Sequence, residues 1–182
     1  MPNLYVALLR GINVGGKNKL PMKDLAALFV GGGATLVSTY IQSGNVIFRA
    51  KPALAQTIAA AVTAGIAEQF GHRIPVVLRT AEELAEAIHH NPYIAQGVDE
   101  SALHVLFLAG HPTREGLNKL DPARSALDEY IVRGREIYLN LKTGAAGTKL
   151  TNAYFDARLA TVSTGRNWRT VLKLRELTTT SS

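Results

Sequence analysis

The sequence contains no cysteine, which excludes disulfide bridges, thiol nucleophiles, thiolate metal sites and iron–sulfur clusters. It also has no apolar run near the roughly 18 residues that indicate a membrane-spanning helix, so we expect no membrane partner. The N-terminus enters a strand-like run directly after Met1-Pro2-Asn3. It has no basic stretch or small-residue cleavage site, which argues against export. Together these absences predict a cytoplasmic protein of bacterial type.

Acidic residues are scarce at both ends of the chain. Residues 1–51 hold six Lys or Arg against one acid, and residues 141–182 hold seven against two. Residues 52–140 reverse this balance with seven against eleven, and the whole chain of 182 residues carries a net charge of +6. If folding joins the two basic ends, they form one positive surface that attracts phosphates or nucleic acid. The alternative is that these side chains only solvate their own faces.

Residue types that carry catalysis are few, and their spacing matches no known catalytic motif. The five histidines form no HExxH motif, so we expect no metal site. Ser43, in QSGNV, lacks the G-x-S-x-G elbow of serine hydrolases. The basic ends offer no obvious pair of carboxylates for acid–base work. The sequence therefore indicates no particular reaction and no cofactor, and whether the protein is an enzyme stays open.

Apolar periodicity predicts two halves of similar element order. The first half alternates as β-α-β-β-α-β-α, beginning with the buried strand of YVALLRG at residues 5–11. The second half repeats that order from HVLFLAG at residues 104–110. The longer helices that the patterns predict cover residues 53–70, 81–90, 148–159 and 167–177.

A βαββαβ unit is the split βαβ, or ferredoxin-like, arrangement. We therefore expect an α+β protein of two tandem ferredoxin-like units with antiparallel sheets, produced by internal duplication. The best boundary lies near GVDE, at 97–100. It gives a first unit at 1–97 with a trailing helix, and a second unit at 98–182 with a C-terminal helix.

Two hairpins support the duplication. YIQSGNVIF at residues 40–48 and YIVRGREIY at residues 130–138 share the pattern Y-I-x-x-G-x-x-I followed by an aromatic residue. Two hairpins in one protein also share alternating apolar residues and a turn glycine by chance. The repeated order of elements is what favours duplication over coincidence.

The segment RGINVGGKN, residues 10–18, resembles the phosphate-binding P-loop G-x-x-x-x-G-K-[ST] at every fixed position except the last. Asn18 replaces the hydroxyl residue that would hold Mg²⁺, and Pro21 places the following helix about one turn too late for its N-terminus to meet a phosphate. No strand ends in the second acidic metal ligand. We therefore interpret the segment as a wide glycine loop and not as a nucleotide-hydrolysing P-loop.

In a βαββαβ unit, the loop after the first strand and the turn between the second and third strands lie at the same end of the sheet. We expect the two segments to be neighbours and to form an anion-binding rim, in which glycine allows backbone N–H groups to point outward. The alternative is a connection that only packs on itself. The candidate ligand-binding residues here are Arg10, Asn13, Gly15, Gly16, Lys17, Lys19, Gln42, Ser43, Gly44 and Asn45.

A second candidate patch lies near the C-terminus, in STGRNWRTVLKLREL. Asn167 or Thr164 is placed to cap the last helix, beside Arg166 and Arg169. Trp168, the only tryptophan, would stack on a base or sugar in the functional interpretation. In the structural interpretation, which we favour, Trp168 fills space between helix and sheet.

Four phrases in the chain closely resemble a known bacterial family. They are ALLRGINVGGKNKLPMKDL at 7–25, TYIQSGNVIF at 39–48, NPY at 91–93 and RNWRTVLKL at 166–174. The family is the one catalogued as domain of unknown function 1697, and the likeness runs from about residue 4 to residue 177. The resemblance implies a small α+β protein with a ferredoxin-like portion, but no activity, substrate or catalytic residues. Tyr93 stands where the family more often has Phe.

Three functional hypotheses follow. The first is a protein that binds an anionic, phosphate-bearing ligand, either a nucleotide or nucleic acid, through the basic glycine-rich loops. The second is an enzyme for a small anionic metabolite, which would need an enclosed pocket. The third is an interaction module or homodimer whose sheet edges pair with another chain. The oligomeric state is not predicted by the sequence.

Overall fold

The computed structural model describes residues 1–180 and confirms the predicted fold class. The chain is an α+β protein with two four-stranded antiparallel sheets in two similar units. One compact unit comprises Met1–Leu84 with the segment from Leu174 onward, and the other comprises Ala85–Lys173. This division falls inside two helices, whereas the boundary near residue 97 rests on element order and stays a prediction about the duplication.

The first unit has the strand order β2-β3-β1-β4, with every neighbouring pair antiparallel. The strand β3 lies between β1 and β2, as the split βαβ arrangement requires. Its elements are β1 (Asn3–Leu9), α1 (Met22–Gly31), β2 (Thr35–Tyr40), β3 (Asn45–Ala50), α2 (Pro52–Phe70) and β4 (Val76–Thr80), followed by α3 (Ala81–His89).

Alternation along the strands and helical spacing along α1 and α2 form the core of this unit. Tyr5 on β1 and Phe48 on β3 stack with ring centroids 5.6 Å apart, and Phe29 on α1 lies 5.0 Å from Phe48. The helix α2 adds buried side chains at helical spacing, among them Ile58 and Val62. The 19-residue α2 therefore covers the sheet with a long apolar stripe.

The second unit has the equivalent strand order β6-β7-β5-β8, again antiparallel throughout. A short 3-10 turn (Glu100–Ala102) precedes it. Its elements are β5 (Leu103–Leu108), α4 (Arg114–Asn118), β6 (Glu129–Arg133), β7 (Glu136–Asn140), α5 (Asn152–Leu159), β8 (Ser163–Asn167) and α6 (Trp168–Thr180).

The hairpin likeness that supported duplication proves to be out of register. The N–H of Leu9 donates to the carbonyl of Gly44, and the N–H of Leu108 donates to that of Arg135, both at 2.8 Å. Arg135, and not Gly134, is therefore the counterpart of Gly44. Because side chains alternate between faces, this one-residue offset sends Phe48 into its core but turns Tyr138 to the opposite face.

The predicted helix at 148–159 starts later, at Asn152, because Thr151 caps it by accepting a hydrogen bond from the N–H of Tyr154. The helix α5 has 8 residues against the 19 of its counterpart α2. The strand β8 follows at Ser163–Asn167, after a left-handed residue, Ala160, ends α5. The second sheet is thus covered by shorter helices and a longer connection at 141–151.

Asp128 fixes that connection to the start of β6. The hydroxyl of Ser125 donates to its carboxylate at 2.9 Å, and Thr143 donates through its N–H at 2.9 Å and its hydroxyl at 2.7 Å. Burial alone would raise the pKa of Asp128, but the hydrogen bonds from Thr143, Thr148 and Ser125 outweigh it and lower the pKa to about 2. The carboxylate is therefore a structural anchor of the second unit.

Replacing Asp128 with alanine should lower the free energy of unfolding by about 2–3 kcal/mol at neutral pH, because several hydrogen bonds to a charged acceptor are lost. The folded pKa of about 2 lies below the ordinary 3.8. This part of the stability is therefore complete above about pH 4 and is lost as the pH falls toward 2. Urea unfolding of wild type and Asp128→Ala at neutral pH and near pH 3 should show the difference shrinking in acid.

The control for this measurement is Asp121→Ala, which removes an exposed carboxylate that accepts one hydrogen bond, from the N–H of Ala123. We expect it to cost under about 1 kcal/mol. Equal losses at Asp121 and Asp128 would contradict the anchoring role of Asp128.

Candidate functional site

The loop after β1 forms a projecting glycine finger, defined here as residues 10–19. Its tip is a tight turn in which the N–H of Lys17 donates to the carbonyl of Val14 at 3.0 Å. Gly15 and Gly16 both have positive φ, 56° and 76°, as a two-residue type I′ turn requires. Val14 at the tip is 63% exposed. The finger therefore ends in an ordered turn that faces solvent.

Two asparagines hold the base of the finger. The side chain of Asn13 donates to the carbonyl of Leu20 at 2.8 Å and accepts from the N–H of Leu20 at 2.9 Å. The side chain of Asn18 donates to the carbonyl of Gly11 at 2.9 Å. Ile12 and Leu20 are buried and anchor the finger in the core. The side chains of Asn13 and Asn18 thus stabilise the loop itself.

The turn between β2 and β3 is the neighbour that the topology predicts. Asn13 donates a second hydrogen bond to the carbonyl of Gln42 at 2.9 Å, and Leu9 bonds to Gly44. Gln42 is exposed and Ser43 is half-buried. Asn45 is fully buried and donates to Tyr40 and Ser43 at 3.2 and 3.0 Å. The carbonyl of Gln42 thus contacts the base of the finger, whereas Gly44 and Asn45 are buried.

The finger is basic, and its two lysines have no partner within residues 1–180. It contains Arg10, Lys17 and Lys19 and no acid. Within residues 1–180, the side chains of Lys17 and Lys19 and the N–H groups of Gly15 and Gly16 have no hydrogen-bond or ion-pair partner. These donors and charges therefore remain available to an anion at the tip.

The helix α1 starts at Met22, after Pro21. Its N-terminus thus comes five residues after Lys17, which separates it from the Gly-Gly-Lys turn. In a P-loop the helix begins directly at the Lys-Ser/Thr pair. The geometry agrees with the interpretation of this segment as a glycine loop outside the P-loop class.

The C-terminal patch is mostly internal. Trp168 is 2% exposed, so its ring has no free face for stacking. Arg166 is buried and donates to the hydroxyl of Thr164 at 2.9 Å and the carbonyl of Gly165 at 2.7 Å. Burial lowers the pKa of Arg166 to about 10, which leaves it charged at neutral pH. Asn167 caps α6 by accepting from the N–H of Thr170 at 2.8 Å, and Arg169 is exposed.

Residues 1–180 contain no group of three or more His, Cys, Asp or Glu side chains placed to hold a metal ion. None of the helices formed by these residues has the length and apolar character to cross a membrane.

The chain is thus an α+β protein of two similar antiparallel units. A family model described as Protein of unknown function (DUF1697) matches residues 3–138. The chain belongs to this family, as the four phrases in its sequence indicate.

One solved structure extends the likeness to both units. The conserved bacterial protein SP0830 from Streptococcus pneumoniae is 22% identical in sequence, with a TM-score of 0.70 over 98% of this chain and 99% of that chain. At this identity the likeness shows the fold alone. No curated protein matches the chain.

Proposed function

We propose that the protein binds a phosphate-bearing ligand through the glycine finger, and that the ligand is the backbone of a nucleic acid. The observation that carries the proposal is the pair of exposed ammonium groups, on Lys17 and Lys19, beside two unpaired backbone N–H groups. Phosphate oxygens take hydrogen bonds from both kinds of donor. The finger also contains no acid that would repel the phosphates.

The rigidity of the finger supports the same function. The hydrogen bonds of Asn13 and Asn18 and the buried Ile12 fix the loop before any ligand arrives. A loop that is already ordered loses little conformational entropy on binding. The side-chain ends of Lys17 and Lys19 then bear most of the ordering cost.

The openness of the tip favours an extended polyanion over a small metabolite. At Gly15 and Gly16, nothing lies within 4 Å of the position that a Cβ would take. A small metabolite needs a concave site that surrounds it, whereas a phosphate backbone can be contacted from one side. This is why nucleic acid is preferred here over an enzyme substrate.

Pairing of a sheet edge with another chain has weaker support. The edge strand β2 is exposed, and Leu36 on it is 73% exposed. The same strand has a register shift between Thr35 and Ser38, and Leu36 has a φ of 49°. Such a bulge interrupts the row of hydrogen-bonding groups that an added strand would use.

The test is the binding of a labelled oligonucleotide, measured by fluorescence anisotropy across a range of salt concentrations. Wild type should bind with an affinity that falls steeply with salt, because bound phosphates release counterions. The Lys17→Ala/Lys19→Ala variant should bind about 5- to 50-fold more weakly. The slope of log affinity against log salt should become shallower by about 2.

The matched control is Lys51→Ala/Arg73→Ala, which removes the same charge from exposed positions of the same unit outside the finger. This control should retain most of the affinity. Salt-independent binding, no binding at low salt, or an equal loss in both double variants would each contradict the proposal.

A thermal-shift comparison separates a nucleic acid from a mononucleotide. A ligand that binds only the folded state raises the melting temperature by mass action. We expect oligonucleotides to give a shift that Lys17→Ala reduces. A larger shift with mononucleotides or sugar phosphates would replace nucleic acid with a small ligand.

A further inference from the structure

The second unit contains a cavity of about 270 Å³ that lies apart from the glycine finger in the sequence and in its chemistry. Its floor is the sheet face formed by His104, Leu106, Leu139 and Gly165, and its wall is the 145–151 segment with the start of α5. A volume near the low end for ligand sites suits a molecule on the order of ten non-hydrogen atoms.

The first unit has different side chains at the positions equivalent to the cavity floor. Tyr5 pairs with Phe48 across the first sheet, and the equivalent pair in the second sheet is His104 with Leu139. A stacked aromatic pair is thus replaced by two smaller side chains. These smaller side chains leave more space above the sheet of the second unit at this point.

The neighbouring strand contributes more room. Ala7 pairs with Leu78 in the first unit, and the equivalent Leu106 pairs with Gly165 in the second. Leu106 is larger than Ala7, but Gly165 has no side chain where Leu78 packs on the core. The short α5 leaves uncovered the region that the first turns of a longer helix would occupy. The cavity therefore arises from several independent differences between the two units.

A chain of hydrogen bonds orients the amide of Asn152 at this cavity. Its Nδ2 donates to the hydroxyl of Ser163 at 2.8 Å, and that hydroxyl donates to the carboxylate of Asp156 at 2.6 Å. The Oδ1 of Asn152 lies 3.8 Å from the position that a Cβ would take on Gly165. Within residues 1–180 this oxygen has no hydrogen-bond donor. A positioned and unused acceptor therefore stands over the floor.

The chemistry of the lining is uncharged. Burial lowers the pKa of His104 below its ordinary value, with a partly opposing contribution from the carbonyl of Ala102, so the imidazole is neutral at neutral pH. With its proton on Nδ1, which faces that carbonyl at 3.4 Å, the Nε2 atom is a second acceptor. No Lys, Arg, Asp or Glu lines the cavity. A phosphate would find no cation here, which separates this site from the finger.

We infer that this cavity binds a small, uncharged, mainly apolar molecule that carries a hydrogen-bond donor, and that Oδ1 of Asn152 accepts from that donor. The leucines supply the contact area, and the orienting chain through Ser163 keeps the acceptor in place. Asn152 is thus a specificity-determining residue, because apolar contact alone would not distinguish a donor-bearing molecule from one without a donor.

The test uses the full-length chain with indole, a small apolar molecule with one N–H donor, and 1-methylindole, which lacks it. Titrations are followed by backbone amide chemical shifts and by calorimetry. Indole should bind saturably, with shift changes concentrated at residues 104–106, 139–152 and 163–165. 1-Methylindole should bind about five- to tenfold more weakly, because it would cover Oδ1 of Asn152 without donating a hydrogen bond to it.

Two variants test the roles of Asn152 and Gly165, and a third is the control. In Asn152→Ala the preference for indole over 1-methylindole should disappear, as a double-mutant comparison requires. Gly165→Leu copies the first unit and should abolish binding of both probes, since even a Cβ there would lie 2.8 Å from Cδ2 of Leu106. Asn118→Ala, at an exposed asparagine of the same unit, should bind like wild type.

Unfolding curves establish whether each variant is folded. If Gly165→Leu does not fold, Asn152→Ala still tests the role of the acceptor. Absence of saturable indole binding to wild type would overturn the inference. So would equal affinities for the two probes, or a preference for indole that survives in Asn152→Ala. None of these outcomes concerns nucleic-acid binding by the glycine finger, which shares no residue with the cavity.

Discussion

Trp168→Ala is expected to lower the free energy of unfolding by about 3–5 kcal/mol, because removal of a fully buried tryptophan leaves a large cavity. Trp168 is 2% exposed and begins α6. The same substitution should leave nucleic-acid binding of the folded protein unchanged, since a buried ring cannot stack on a base. Chemical unfolding followed by far-UV circular dichroism measures the first quantity, because the variant lacks the only tryptophan. Anisotropy below the unfolding transition measures the second.

Arg169→Ala is the matched control, because Arg169 follows Trp168 on the same helix and is exposed. It should change stability by less than about 0.5 kcal/mol. The structural assignment of Trp168 would be wrong if Trp168→Ala kept wild-type stability but lost affinity for the oligonucleotide. In that case the stacking interpretation of the C-terminal patch would replace it.

Gly44→Ala is expected to cost about 2–4 kcal/mol. Gly44 has a φ of 80°, and a Cβ there would lie 2.7 Å from Cβ of Leu9 and 3.0 Å from Cδ1 of Ile12. The left-handed backbone contributes about 1 kcal/mol of this loss, and the forced overlap contributes about 1–3 kcal/mol. Because Ile12 anchors the glycine finger, the variant should also bind oligonucleotide more weakly at temperatures where it is folded.

Gly15→Ala separates the two causes. Gly15 also has a positive φ, 56°, but nothing lies within 4 Å of its Cβ position. Only the backbone cost of about 1 kcal/mol should remain. If urea denaturation gave the same loss for both variants, the close approach of Leu9 and Ile12 to Gly44 would contribute nothing to stability.

Element order alone was enough to place the finger beside the turn at 41–44. In an antiparallel βαββαβ unit, successive strands reverse direction, so these two connections must share one end of the sheet. The hydrogen bond from Asn13 to the carbonyl of Gln42 shows the expected neighbours in contact. This inference needed only the number and type of elements, which apolar periodicity specifies well.

The hairpin comparison misaligns the two turns because their lengths differ. Residues 41–44 form a four-residue turn in the first unit, whereas Gly134 and Arg135 alone connect β6 to β7. The shared glycine thus occupies different positions relative to the strands. Letter-by-letter similarity could not reveal an offset that turns Tyr138 away from the core that Phe48 enters.

The cavity could not be predicted from the sequence, because it depends on contacts between residues far apart in the chain. The pattern from 148 to 159 predicts helix throughout, but Asp128 ties the preceding connection to β6, and Thr151 caps the helix only from Asn152. His104 and Gly165 carry no motif. Only the pairing of strands shows that they stand where the first unit has Tyr5 and Leu78.

By itself, the sequence determined the α+β class, the repeated element order, the basic ends and the glycine loop that differs from a P-loop. These properties follow from local periodicity and residue type, which each segment carries within itself. The tertiary structure decided which polar and aromatic residues face inward, including Asn45, Arg166 and Trp168. Burial depends on partners far along the chain, so no local pattern separates the exposed Lys17 and Lys19 from a buried arginine.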